Sequence, residues 1–239
     1  MSVPNPPLLR ADGVMHHRGP TEELNGVSVT IEPGRFTLLT GGAESGASAL
    51  LRILGLLERA DGGEVWIEGR ATSELDDAAR LELRNRFFGF LFAEPFLLDS
   101  FTVAENVAMP LFKIGCVDLE VARTRTAEVL EFAGLSGLAD MPVDELGALE
   151  RHRVSLARAV AISPRVLIAE DVMLHLARED GRGFAELVRS VPEALGIGVI
   201  ATSPAEAEIF GADRLIRLER GVIVGDSQPE PVQEAGAHE

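Results

Sequence analysis

The apolar run Arg35-Phe36-Thr37-Leu38-Leu39-Thr40 stops at Gly41-Gly42-Ala43-Glu44-Ser45-Gly46. Beyond it, Ser48-Ala49-Leu50-Leu51-Arg52-Ile53-Leu54 has its apolar residues at helical spacing. A strand running into a core, a glycine-rich turn and a helix, in that order, leave few folds open. The segment from Gly41 to Ser48 has the skeleton of a phosphate-binding loop. In such a loop backbone N–H groups and a helix N-terminus wrap the anion, a Lys pins the terminal phosphates and a Ser or Thr holds Mg²⁺. Two glycines at this spacing also suit a plain strand-to-helix turn, so the loop alone decides nothing.

The remaining pattern narrows the fold class. Residues 26–31 alternate small or polar with β-branched side chains, as a half-buried strand does, and 65–67 make another short strand. Residues 87–92, 165–169 and 198–202 are mainly apolar, as in parallel strands covered on both faces. Residues 215–218 and 222–224, split by Arg220-Gly221, predict a hairpin. Helices are expected over 76–86, 121–135 and 148–162. Together these predict an α/β domain over 8–226, with a mostly parallel sheet, added antiparallel strands and a helical insertion near 95–160. The Pro-rich residues 1–7 and the Pro/Glu/Ala/Gly-rich residues 227–239 are expected to be disordered tails.

Charge excludes some partners. Twenty-two Lys plus Arg against 38 Asp plus Glu give a net charge of −16, which disfavours nucleic acid and anionic lipid and repels polyanions generally. The single cysteine, Cys116, forms no internal disulfide and no metal cluster, which fits a reducing cytoplasm. No basic stretch followed by an apolar run is found near the start, and no run approaches the ~18 apolar residues of a spanning helix. A membrane role is therefore expected to come through a partner.

The order of the later motifs supplies what the loop lacks. Phe88-Gly89-Phe90-Leu91-Phe92-Ala93-Glu94-Pro95 is followed by Phe101-Thr102-Val103-Ala104-Glu105-Asn106. Next come Leu146-Gly147-Ala148-Leu149-Glu150-Arg151-His152-Arg153, then Val166-Leu167-Ile168-Ala169-Glu170-Asp171, and finally Ala201-Thr202-Ser203. From about Leu8 to Asp226 the chain resembles the ATP-binding subunit of ABC transporters, a P-loop NTPase-like fold. Its wording is similar to the lipoprotein-release and macrolide-export branch. The resemblance implies ATP and Mg²⁺ as cofactors and a transmembrane permease as partner. It also implies a homodimer or a heterodimer with another ABC ATPase subunit, at the inner face of the cell membrane.

The chemistry that the resemblance implies is altered at each position. Ala47, Ser48 and Ala49 stand where the family has Lys, Ser and Thr, and Glu44 places a carboxylate in the loop. Ser48 keeps a hydroxyl for Mg²⁺. Losing the charge-assisted Lys contact costs roughly 1.5–3 kcal/mol, so weak or absent ATP binding is expected. Ala93 replaces the family's metal-sensing Gln, and Leu146-Gly147-Ala148-Leu149-Glu150 replaces its Leu-Ser-Gly-Gly-Gln signature. Glu170-Asp171 reverses its Asp-Glu pair: Glu170 falls at the Mg²⁺ position and Asp171 at that of the catalytic base. Ser203 replaces its switch His. His16, His17 and His175 read as ordinary surface residues, and Phe96 and Phe101 as candidates for a groove that docks the permease. Three functions stay open from sequence: an impaired ATPase subunit working through partners, an active subunit with atypical motifs, and a soluble acidic interaction protein without a transporter.

Overall fold

The computed structural model describes residues 7–203 and 211–227; of the expected tails, only Pro7 and Ser227 lie within them. β1 (Leu9–Arg18), β2 (Thr21–Ile31), β4 (Gly62–Ile67) and β5 (Arg70–Ala71) form an antiparallel sheet in the order β2-β1-β4-β5. β3 (Phe36–Thr40), β6 (Phe88–Phe92), β7 (Val166–Glu170), β8 (Gly198–Ser203), β9 (Arg214–Glu219) and β10 (Val222–Ser227) form the second sheet, ordered β10-β9-β3-β8-β7-β6. It is parallel except at the β9–β10 hairpin. The class is the α/β P-loop NTPase fold that the sequence predicts.

α1 (Ala47–Leu54) lies between the two sheets. Its buried Leu50, Leu51, Ile53 and Leu54 share one core with Leu24, Ile31, Val65, Ile168 and Ile200. The opposite face of the second sheet is covered by α5 (Ala148–Val160) and α6 (Arg178–Leu195). The strand residues Leu167, Ala169, Val199 and Ala201 in the core there are fully buried and apolar. α2 (Asp77–Phe87), capped by the Asp76 carboxylate, leads directly into β6.

Residues 95–160 hold α3 (Val103–Pro110), a π turn over Leu111–Gly115, α4 (Leu119–Phe132) and α5. α3 opens with a reciprocal cap: the Thr102 hydroxyl accepts from the Glu105 N–H, and the Glu105 carboxylate accepts from the Thr102 N–H. The fully buried Asn106 amide accepts from the Leu98 N–H and donates to the Leu98 and Thr102 carbonyls. It thus fixes the bend that leads from β6 into α3.

β1, β5, α3 and α6 were not expected from the sequence pattern. β1 was not expected because register shifts between Ala11 and Val14, and again up to His17, interrupt the two-residue alternation. α6 contains Gly181, Gly183 and Pro192, which disguise a buried face of Gly181, Phe184, Ala185, Val188 and Val191. α4 ends at Phe132 rather than 135, because Gly134 turns left-handed (φ 70°).

β6 and α5 touch with almost no space between them: a Cβ on Gly89 would lie 2.3 Å from the Ala159 carbonyl oxygen. Gly89→Ala is expected to destabilise the chain by about 1–3 kcal/mol through overpacking, measured as a lower urea midpoint at unchanged slope.

Candidate functional site

The cleft stands where parallel strands end and α1 begins, as open α/β sheets place their ligand sites. Register sets this edge: Thr40 of β3 pairs with Ser203 of β8, and Thr202 of β8 pairs with Glu170 of β7. The cavity, about 310 Å³, is walled by Gly41 through Ala49, by Arg18 to Glu23 of the β1–β2 corner, and by Arg52, Asp171, Thr202 and Ser203.

The loop keeps its shape for local reasons. Gly46 is left-handed (φ 89°), and a Cβ there would meet the Glu23 carbonyl oxygen at 2.2 Å. The Ser45 N–H donates to the Gly42 carbonyl at 2.9 Å, and the Gly221 N–H to the Ser45 carbonyl at 2.9 Å. The buried Ser45 hydroxyl turns inward and accepts from the Ala47 N–H at 3.3 Å. One of the donors that a phosphate would need is thereby used within the loop. Ala47, at the Lys position, is buried, and Glu44 is exposed at the mouth.

Charge in the cleft is already matched within the chain. Arg18 donates to Glu23 at 2.8 Å. Arg52 lies 2.5 Å from Glu170 and 3.5 Å from Glu58, and its hydrogen bond to Glu170 is the chief cause raising its pKa above the ordinary value. The carboxylates of Glu22, Glu23, Glu44 and Asp171 line the same space, so four anionic side chains face two guanidiniums that are both engaged. A field of that sign repels a triphosphate.

The carboxylates at the end of β7 are also spoken for. Glu170, at the metal position, is held by Arg52. Asp171, at the base position, is left-handed (φ 48°). Its N–H donates to the Thr202 hydroxyl at 3.2 Å, and that hydroxyl donates back to Asp171 Oδ1 at 3.0 Å. The structure thus brings together the phosphate loop, Ser48, Asp171 and Ser203, with Glu170 beside them through Arg52.

Ala93 and the residues Leu146 to Glu150 do not line this cleft. Gly147 caps α5 without a side-chain bond, and Glu150 sits in its first turn, opposing the dipole end that a phosphate would use. Ala93 takes part through its backbone: His152 Nε2 lies 3.0 Å from the Ala93 carbonyl, and Nδ1 lies 2.8 Å from that of Ala148.

Arg52 and His152 are thus working residues that sequence reasoning passed over. The polar break in the apolar run of α1 was the one available signal for Arg52. The expectation for His16 needs correction: its side chain is only 14% exposed and lies among Glu23, Glu58 and Asp61, whereas His17 is 48% exposed and His175 is exposed.

A second depression, about 330 Å³, is mostly apolar and lies between β6, the π turn and α5. Phe90, Phe92 and Phe96 line it with Met109 and Ile114, and Phe96 is 65% exposed. Phe101 is exposed but stands outside this lining, contrary to expectation. The Arg158 guanidinium donates to the Pro95 and Phe96 carbonyls at 2.7 Å each and fixes the rim.

Comparison with known proteins settles the lineage. The ABC transporter family model matches residues 24–173. The chain belongs to the ABC transporter family. It is 36% identical over 200 residues to a lipoprotein-releasing system ATP-binding protein, LolD, of Myxococcus xanthus, covering 84% of this chain and 89% of that protein. It is 33% identical over 210 residues to the macrolide export ATP-binding/permease protein MacB of Mannheimia succiniciproducens, covering 88% of this chain and 32% of that protein. The dimeric ATP-binding cassette MJ0796, in a post-hydrolysis state bound to ADP and Pi, superposes with a TM-score of 0.80 at 27% identity, covering 92% of this chain and 98% of that one. The chain is therefore an ABC transporter ATP-binding subunit of the lipoprotein-release and macrolide-export branch.

In this ABC subunit the Arg52–Glu170 pair is largely sheltered, with side-chain exposures of 29% and 13%. Removing one partner strands a charge, which costs on the order of 1–3 kcal/mol. Arg52→Ala is expected to lower stability by about 2 kcal/mol. A double-mutant cycle with Glu170→Gln should return a coupling above about 1 kcal/mol, read from urea unfolding.

Proposed function

We propose that this ABC subunit is catalytically impaired and acts through its partners. It docks on a transmembrane permease at the inner face of the membrane and pairs with an intact ABC ATPase subunit, contributing assembly and regulation rather than turnover. The observation that carries this reading is the state of the cleft's cations. Arg18 and Arg52 both neutralise carboxylates of the chain itself, and buried Ala47 offers no third charge. Mg²⁺ faces the same obstacle, since Glu170 is bound to Arg52 and Asp171 to Thr202. Ser48 retains a hydroxyl at the cleft wall, but one neutral oxygen does not hold a strongly hydrated cation.

The pairing follows from how family sites are built: the loop of one subunit faces the signature of the other. Two copies of this chain would oppose an acidic loop to a signature lacking its Ser. An intact partner would leave each composite site with one sound half. The apolar groove around Phe96 supports the permease contact, because an exposed apolar hollow with an ordered rim can receive apolar side chains of a docked helix. Among the described residues no helix is long and apolar enough to cross a membrane.

Titration of ATP with Mg²⁺ into the purified chain tests the reading. The expected result is no saturable binding below about millimolar concentration, a loss of roughly 4 kcal/mol from micromolar affinity, and no hydrolysis above background. Micromolar binding, with hydrolysis abolished by Asp171→Ala, would establish an active subunit instead. A second measurement concerns docking: Phe96→Glu should abolish co-purification with a co-expressed permease while leaving the melting temperature unchanged.

A further inference from the structure

Three metal-ligating side chains from three separate segments converge at the rim of the cleft. His16 comes from β1, Glu23 from β2 and Glu58 from the turn after α1. One donor atom from each lies within 4.8 Å of the other two. His16 Nε2 is 3.2 Å from Glu58 Oε2 and 3.9 Å from Glu23 Oε2. Ligands around one first-row ion, at bond lengths of roughly 2.0–2.2 Å, stand about 3–4.5 Å apart.

The arginines nearby account for the other oxygens. Arg18 Nε donates to Glu23 Oε1 at 2.8 Å, while Arg18 Nη2 and Arg52 Nη1 lie 3.7 and 3.5 Å from Glu58 Oε1. Both Oε2 atoms, in contrast, are buried and accept no hydrogen bond from the described residues. The guanidiniums therefore orient the carboxylates and leave two inward oxygens facing an imidazole nitrogen. Buried carboxylate oxygens without a donor are costly unless a cation faces them.

The outer ring has the arrangement that metal-bound histidines use. His16 Nδ1 is 3.5 Å from Asp61 Oδ2, and Asp61 is itself held by the His17 N–H at 2.6 Å. Nδ1 makes no hydrogen bond among the described residues, but Asp61 stands beside that far nitrogen, where an outer carboxylate orients a metal-bound imidazole.

We propose that His16, Glu23 and Glu58 bind one divalent transition-metal ion, with Asp61 as the partner of the ligating imidazole. One nitrogen and two oxygens select Zn²⁺, Co²⁺ or Mn²⁺ over Mg²⁺ and Ca²⁺, which prefer oxygen alone. Glu23 lines the cleft, so the ion stands at its rim and adds positive charge to an acidic wall. The site is built without any group of a nucleotide and is independent of the fate of ATP.

The test uses the full chain carrying Cys116→Ser, so that the exposed thiol does not compete. Zn²⁺ is titrated calorimetrically near neutral pH without nucleotide, Co²⁺ is followed by its visible d–d absorption, and Mg²⁺ is the control. One Zn²⁺ per chain is expected, with affinity at least tenfold weaker in His16→Ala and in Glu58→Gln, and Asp61→Asn weakened less. Melting in metal-free buffer reports whether each variant folds; should His16→Ala fail, the near-isosteric Glu58→Gln decides alone. No saturable Zn²⁺ binding, or affinity unchanged in the folded variants, overturns the proposal.

Discussion

The parallel pairing of β3 with β8, and of β8 with β7, fixes nearly everything else in this molecule. Its register ends three strands on one line, so Thr40, Ser203, Thr202 and Glu170 arrive together at a single edge. α1 springs from that edge because the loop between it and β3 has only six residues, Gly41 to Gly46, in which to reverse direction. A slip of one residue in β8 would exchange buried Val199 and Ala201 for their neighbours on the opposite sheet face. The register is thus held by the whole apolar core, not by the cleft's own polar bonds.

On that conserved geometry the electrostatics have been turned around. A nucleotide cleft works by presenting unsatisfied N–H groups and a mobile cation to an incoming anion. Here Ser45 consumes one N–H, and the guanidinium of Arg52 fills the need of Glu170 that a dication would otherwise meet. A sheltered ion pair of this sort adds little net stability compared with an apolar replacement, yet is expensive to break from one side. Such a pair persists readily once formed. The fold does not depend on a ligand in the cleft to neutralise Glu170.

Much of this was legible in the sequence. The fully buried strands announced themselves because burial on both faces demands unbroken apolar runs, as in residues 165–169. The phosphate loop, the Glu170-Asp171 reversal and the missing Lys were visible because they are local and contiguous. α3 was not read from sequence, although Thr102 and Glu105 form its cap. What stayed hidden depends on contacts between distant segments. His16 looked like a surface residue because the bulges of β1 hide which side chains turn inward, and only the fold brings Glu58 beside it. The engagement of Arg52 with Glu170 spans 118 positions along the chain, and no local pattern predicts it. Phe101 was grouped with Phe96 by proximity in sequence, but only Phe96 of the two lines the apolar depression.

His152 has a consequence for motion. The segment after β6 joins the end of that strand to the rim of the aromatic groove. The imidazole rivets that segment to α5 through the Ala93 carbonyl, and Arg158 clamps the next two residues to the same helix. Strand end, groove rim and helix then travel as one piece. A membrane protein seated on the groove, as proposed above, would meet a rim braced to one helix at three carbonyls.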